Sequence, residues 1–192
     1  MKKGQTTAGI AALCIFAAIG STRGAANAPN TEISVYAAAS LREALQELAP
    51  RCGKMAGVEV VLNFGSSNDL ARQIEAAEKA DLFFSADEAI MDRLANAHLV
   101  AEGTRRSALS NRLVVVGPAD SALAIRSAAD LAAPGVKRLS LANPEAVPAG
   151  KYAKAWLEKA GKWEAVKDRV VPGIDVRAAL AAVESGSVGG GV

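Results

Sequence analysis

Four short turns contain the residues of this sequence that could bind a small ligand. Each turn stands between a predicted β-strand and the start of a predicted helix. The first carries Ser40, which we expect to cap the following helix, and the second carries the neighbouring hydroxyls of Ser66 and Ser67. The remaining two are Val147-Pro148-Ala149-Gly150 and Gly173-Ile174-Asp175-Val176. Together the four turns predict a site made of serine hydroxyls and backbone N–H groups.

Such a site suits an anion. The first N–H groups of a helix have no partner within the helix and carry a partial positive charge, so they bind anions without arginine or lysine. Ala149 and Val176 have no polar side chain, and any contact they make must come from the backbone. A small, fully ionised oxyanion accepts hydrogen bonds and donates none, and it therefore fits these donors. Each turn taken singly is also explained as an ordinary capped helix start, and we interpret Asp175 as a cap rather than a ligand group.

The elements that position these turns follow an alternating pattern. Short apolar runs alternate with stretches of helical spacing, such as Leu41, Ala44, Leu45 and Leu48. Strands are predicted at 33–37, 58–64, 81–85, 113–118, 138–142 and 170–171, and helices at 41–48, 70–78, 88–97, 127–132, 151–160 and 176–184. This alternation is typical of an α/β fold with mainly parallel sheets covered by helices on both faces. In a parallel sheet the four turns lie at the carboxyl ends of the strands, where α/β folds bind ligands.

The pattern divides into two lobes. We predict a first α/β lobe over residues 27–112 and a second over 113–192, with the crossing between them at the start of the strand at 113–118. Residues 185–192 are predicted to form a turn that leads into a strand which has scarcely begun. We therefore expect the second lobe to be truncated at its last strand, and the return to the first lobe to be missing.

The N-terminus has the features of a cleavable secretory signal. Lys2 and Lys3 precede an apolar stretch, residues 8–20, which is too short for the ~20 residues that span a bilayer. Small residues follow, and we predict a signal peptide over residues 1–26 with cleavage after Ala26. The protein is thus predicted to be periplasmic. Export leaves Cys52 as a single cysteine, which cannot form an internal disulfide and which we interpret as a packing residue.

The charge balance and the histidine content exclude other classes of protein. After residue 26 the chain has 19 basic and 20 acidic residues, so it lacks the basic surface that nucleic acids require. His98 is the only histidine, which excludes histidine-rich metal sites and disfavours a Ser-His-Asp triad. The acids near Asp87 are better explained by a helix cap at that residue than by a metal site, and Trp156 and Trp163 by packing. For Arg72 and Arg177, which follow two of the turns, ligand steering and a solvated role both remain open.

At these same turns the sequence resembles the ModA-type family, the periplasmic molybdate-binding components of ABC transporters among the type II periplasmic binding proteins. The resemblance covers most of residues 32–186 in collinear order. It is carried by YAAASLREALQEL (36–48), NFGSSNDLARQIE (63–75), ADLFFSADEAIMDRL (80–94), LSNRLVVVGP (109–118), NPEAVPAGKYAKAWLEKAGKW (143–163) and DVRAALAAVESG (175–186).

The resemblance implies a two-lobe fold with molybdate or tungstate bound between the lobes. Ser40 and Ser67 match the two serine ligands of the family, and Ala149 and Val176 match its backbone donors. Ser66 is a weaker candidate, as are its neighbours Asn63 and Gly65, which shape the same turn. The family commonly adds a tyrosine hydroxyl from a segment that this sequence does not include.

The resemblance also implies a role in transport. The protein would deliver the oxyanion to the membrane permease of an ABC transporter, as a monomer, without a cofactor and without a free metal cation, the molybdenum being held as the oxyanion. It would not be an enzyme. The alternatives are a receptor for another tetrahedral oxyanion such as sulfate, an exported serine hydrolase, and a cytoplasmic ligand-sensing regulator.

Overall fold

The structure, a computed structural model, describes residues 31–121 and 125–192. The predicted signal peptide at 1–26 lies outside these residues. Within the described ranges no helix is both long and apolar enough to cross a membrane.

The first lobe is a three-stranded parallel sheet flanked by helices. Its strands lie in the order β2-β1-β3, with β1 paired to both neighbours. Their bounds are β1 (Thr31–Ala38), β2 (Val58–Gly65) and β3 (Leu82–Phe84), and those of the helices are α1 (Arg42–Ala56), α2 (Ser67–Ala77) and α3 (Glu88–Asn96). A 3-10 turn, Ala39–Leu41, connects β1 to α1. The apolar faces of α2 and α3 pack together around Ile74 and Leu94.

The second lobe repeats this arrangement with a second parallel sheet in the order β5-β4-β6. Its elements are α4 (Ala128–Leu131), β4 (Leu139–Ala142), α5 (Pro148–Lys159), α6 (Trp163–Val166), β5 (Val170–Gly173), α7 (Val176–Glu184) and β6 (Gly190–Gly191), with a 3-10 turn at Lys167–Arg169. The core lies between β4 and α5, where Leu139, Leu141 and Leu157 are fully buried. Trp156 and Trp163 pack against this core, which confirms their interpretation as packing residues.

The prediction of a strand at 113–118 is wrong. In this segment only Val116 pairs with another strand, through an isolated antiparallel bridge in which it exchanges two backbone hydrogen bonds of 2.9 and 2.8 Å with Gly191. Leu113 and Val114 are exposed. A β-prone run forms a strand only where a neighbouring strand offers hydrogen bonds along its length, and β6 offers two residues.

Two expectations about α1 are also corrected. The sequence predicts a helix that ends at residue 48, yet α1 continues through Pro50 to Ala56. Cys52 is exposed, so it is not a packing residue. Cys52 is exposed because successive side chains of a helix point about 100° apart, and it is the next residue, Gly53, that occupies the buried position. A Cβ on Gly53 would lie 2.8 Å from the carbonyl oxygen of Val58, so glycine lets α1 approach β2 closely.

Candidate functional site

The register of the two sheets brings the four predicted turns to one place. Ala38 at the end of β1 pairs with Gly65 at the end of β2, and Ala142 at the end of β4 pairs with Gly173 at the end of β5. The turns that follow these strands therefore leave each sheet at the same level, and those of the two lobes face each other across a cavity of about 450 Å³. The residues that line it are Ala38, Ala39, Ser40, Gly65, Ser66, Ser67, Ala86, Asn111, Arg112, Leu113, Val147, Pro148, Ala149, Tyr152, Asp175 and Val176. They include Ser40, Ser67, Ala149, Val176 and, of the weaker candidates, Ser66 and Gly65 but not Asn63.

Ser40 lies in the 3-10 turn between β1 and α1, and it is exposed to the cavity. The prediction that it caps a helix is wrong, because the N-cap of the 3-10 turn is Ala38 and that of α1 is Leu41, neither with a side-chain cap. The insertion of a 3-10 turn moves the start of α1 two residues past Ser40. Neither helix start uses the Ser40 hydroxyl, so its hydrogen can be donated to an acceptor in the cavity.

Ser66 and Ser67 are both buried, but their hydroxyls are used differently. Ser66 is the N-cap of α2, where it accepts a hydrogen bond from the N–H of Asp69 (3.2 Å) and donates one to the carboxylate of the same residue (2.6 Å). The Ser67 hydroxyl accepts one from the N–H of Ala86 at 2.9 Å. Its oxygen is thereby fixed while its own hydrogen remains available to donate. Of the two hydroxyls, that of Ser67 therefore has a hydrogen left to donate, whereas that of Ser66 is engaged in capping α2.

The second lobe contributes the N-terminus of α5. Its N-cap, Val147, has no capping side chain, and the first intrahelical bond runs from the N–H of Lys151 to the carbonyl of Val147 (3.0 Å). The N–H groups of Ala149 and Gly150 precede that bond, and Pro148 has none. The N–H of Ala149 is therefore one of the unpaired donors of this helix start, and Ala149 lines the cavity.

Gly150 is required by the close approach of α5 to β4. A Cβ at this position would lie 2.1 Å from the carbonyl oxygen of Ala142 and 2.6 Å from that of Asn143. Real Cβ atoms do not approach backbone oxygens so closely, so the Pro-Ala-Gly turn can seat against the end of β4 only with glycine. The same approach holds this turn, and Ala149 with it, at the cavity.

The fourth turn places Val176 as the first residue of α7. Its N-cap is Asp175, whose carboxylate accepts a hydrogen bond of 2.8 Å from the N–H of Ala178 and confirms the interpretation of this residue as a cap. Asp175 also lines the cavity, where its negative charge would oppose an anion. The N–H of Val176 lies in the first turn of the helix, where it has no acceptor within the helix.

Three polar residues at the cavity were not predicted from the sequence: Asn111, Arg112 and Tyr152. Arg112 adds a cationic side chain to a site that the sequence predicted to be neutral. Tyr152 stands three residues after Ala149 on α5, so it shares a face with it, and that spacing could have identified it. Burial, and after it the negative charge of Asp87, raises the pKa of Tyr152. A phenol is protonated at neutral pH, so Tyr152 adds a hydroxyl group to the cavity lining.

Of the other predicted roles, that of Asp87 is confirmed and that of Asn63 is not. Asp87 caps α3 by accepting from the N–H groups of Ala89 (2.6 Å) and Ile90 (3.2 Å), as predicted. Asn63 donates to Gln73 instead of facing the cavity (2.9 Å). Over residues 31–121 and 125–192, no three His, Cys, Asp or Glu side chains come together in a way that could hold a metal ion.

The size of the cavity indicates how a ligand would be enclosed. Four oxygens of roughly the size of a water, about 30 Å³ each, make a tetrahedral oxyanion on the order of 120 Å³. The cavity is more than three times as large. An oxyanion would thus contact only some of the lining groups at once, unless the two lobes move closer together.

The sequence pattern of one family matches this chain. The family is described as bacterial extracellular solute-binding protein, and the match covers residues 33–192. Of the curated relatives, the molybdate-binding protein ModA of Escherichia coli is 44% identical over 165 residues, which are 84% of this chain and 64% of the relative. The protein of the same name from Haemophilus influenzae is 40% identical, over 82% of this chain and 63% of the relative. The chain thus spans a little under two thirds of the length of these relatives.

The fold has relatives among solved structures as well. The periplasmic molybdate-binding protein of Azotobacter vinelandii superposes with a TM-score of 0.70 at 26% sequence identity, over 83% of this chain and 69% of the other. Its match extends over both parallel sheets and agrees with the two-lobe α/β architecture predicted from the sequence. From the matched family pattern, the shared fold and the cavity between the lobes, this chain belongs to the bacterial extracellular solute-binding proteins.

Proposed function

We propose that this chain is an extracytoplasmic solute-binding protein that captures molybdate or tungstate and delivers it to the permease of an ABC transporter. The observation that carries the proposal is the convergence of four strand-to-helix turns, with five predicted donor residues, on one cavity between two lobes. The names of the relatives, which are molybdate-binding proteins, support the choice of ligand.

The proposed ligand groups are the hydroxyls of Ser40 and Ser67 and the backbone N–H groups of Ala149 and Val176, with Ser66 as the weaker candidate. Two come from each lobe, so a bound oxyanion would join the lobes. A hydrogen bond to a charged group contributes about 1.5–3 kcal/mol, and four such bonds could support sub-micromolar affinity after the cost of association. Binding of this kind needs no cofactor.

The site favours binding over catalysis. A serine hydrolase would need a general base beside Ser67, and the hydroxyl of this residue accepts from a backbone N–H. The single histidine, His98, follows the end of α3 and does not line the cavity. We therefore propose a binding protein and not an enzyme.

We propose the same organisation along the chain as the sequence predicted. Residues 1–26 act as a cleaved signal peptide, residues 27–112 form the first lobe, and residues 113–192 form the second. The bridge between Val116 and Gly191 supports the second boundary, because it attaches the segment after residue 112 to β6. The protein is proposed to act as a monomer in the periplasm.

Calorimetric titration of the purified chain tests the ligand. We expect saturable binding of molybdate and tungstate, and weaker binding of sulfate and phosphate. Tighter binding of sulfate than of molybdate would replace the proposed ligand by the alternative one. The absence of heat with all four anions at millimolar concentration, from a chain whose circular dichroism shows it folded, would contradict the proposed function.

A further inference from the structure

Arg177 of the second lobe contacts the first lobe. Its Nε donates to the carbonyl oxygen of Ala39 at 3.4 Å, and its guanidinium forms an ion pair with the carboxylate of Glu43 on α1. The side chain of Arg177 is 36% exposed, which leaves it partly shielded from water. The two residues of this ion pair are 134 positions apart in the sequence and belong to different lobes.

The contact joins two of the proposed ligand turns directly. Arg177 follows Val176 at the start of α7, and Ala39 precedes Ser40 in the 3-10 turn. A movement that separates the lobes must therefore break the Arg177 contacts at the same time as it separates Val176 from Ser40. Arg177 itself does not line the cavity.

We propose that Arg177 is a positioning residue, a latch that limits the separation of the two lobes through Ala39 and Glu43 and thereby increases affinity without touching the ligand. This inference rests on the proposed function. A ligand that binds only the closed arrangement gains apparent affinity in proportion to the fraction of molecules already closed. Loss of the latch lowers that fraction, so it weakens binding and speeds dissociation.

The effect of Glu43→Ala on molybdate affinity distinguishes a latch from a general effect of surface charge. The substitution removes a negative charge, and the attraction of a positively charged surface for a dianion predicts tighter molybdate binding. A latch predicts the opposite, a loss of about three- to tenfold, because Arg177 loses its partner in the other lobe. Lys167→Gln is the control, since it also removes one positive charge, but Lys167 pairs with Glu164 within the second lobe and does not line the cavity. It should change affinity less than twofold at 0.15 M salt, where exposed charges are screened.

A double-mutant cycle identifies the pair. If Arg177 and Glu43 act through each other, Arg177→Gln combined with Glu43→Ala weakens binding no more than the worse single substitution. Losses that multiply, or a Glu43→Ala variant that binds more tightly than the unmodified chain, would overturn the latch while leaving the proposed function intact.

The latch can also be measured without ligand. Cys52 is exposed on α1 and can carry one fluorophore, with a second on a Lys159→Cys substitution at the end of α5, in a chain that begins at Asn27 and so contains no other cysteine. We expect ligand-free energy transfer between the dyes to fall in Arg177→Gln and to stay unchanged in Lys167→Gln. Equal transfer in both variants would overturn the latch, and this readout decides the matter even if the unmodified chain binds no oxyanion.

Discussion

Ser66 and Ser67 are adjacent, buried and both at the cavity, yet replacing them by alanine should have different consequences. In Ser67→Ala the ligand loses a hydroxyl donor, which at about 1.5–3 kcal/mol for a charge-assisted hydrogen bond corresponds to roughly 10- to 150-fold weaker molybdate binding. In Ser66→Ala the lost bonds are those to Asp69, so the change falls on α2 and affinity should drop by less than about fivefold.

The two substitutions should cost similar stability, which makes them a matched pair. Ser66→Ala removes a helix cap, worth about 0.5–2 kcal/mol. Ser67→Ala leaves the N–H of Ala86 without its acceptor, which costs about 1–3 kcal/mol. Urea unfolding at neutral pH measures both losses, and calorimetric titration with molybdate measures the affinities. The stability data thus separate a lost ligand contact from general damage.

The reasoning would be refuted in two ways. If Ser67→Ala binds molybdate as tightly as the unmodified chain, the available hydrogen of that hydroxyl does not face the ligand. If Ser66→Ala loses as much affinity as Ser67→Ala, then the hydrogen bonds to Asp69 do not hold in the ligand-bound molecule, and the two serines act together.

Three further predictions concern the helix starts. Gly150→Ala should destabilise the chain by about 1–3 kcal/mol in urea unfolding, since its Cβ would overlap the carbonyl of Ala142; a neutral effect would mean that α5 is not seated against β4. Asp175→Asn keeps the cap but removes a negative charge from the cavity, so titration should show molybdate binding tightened by about 0.2–1 kcal/mol, and weaker binding would contradict the argument. The pKa of Asp69 is lowered, first by the hydrogen bond from Ser66 and then by Arg72, against an opposing effect of burial. A depressed pKa stabilises the fold above the unfolded value of about 3.9 and loses that contribution as the pH falls below it, so Asp69→Asn should flatten the acid limb of a pH–stability curve; an unchanged limb would mean that other carboxylates control it.

Much of the site follows from local sequence. A strand followed by a short turn and a helix of regular spacing predicts unpaired N–H groups at a definite position, and parallel pairing then predicts that such positions share one edge of a sheet. The bounds of α7 and the cap at Asp175 follow from this local rule, because both depend on residues within one turn of each other. The choice of molybdate came instead from the resemblance to a family, since donors alone do not select among tetrahedral anions.

Tertiary structure decided what depends on partners that are distant in the chain. The β-prone segment at 113–118 forms no strand because only Gly191 pairs with it, and Cys52 faces solvent because Gly53 takes the position against β2. The different roles of Ser66 and Ser67 depend on the N–H of Ala86, which lies 19 residues away from Ser67. The contact of Arg177 with Glu43 spans a still longer separation. Local patterns specify where a donor starts a helix, but which acceptor it meets is set by packing between elements, and that information is not local.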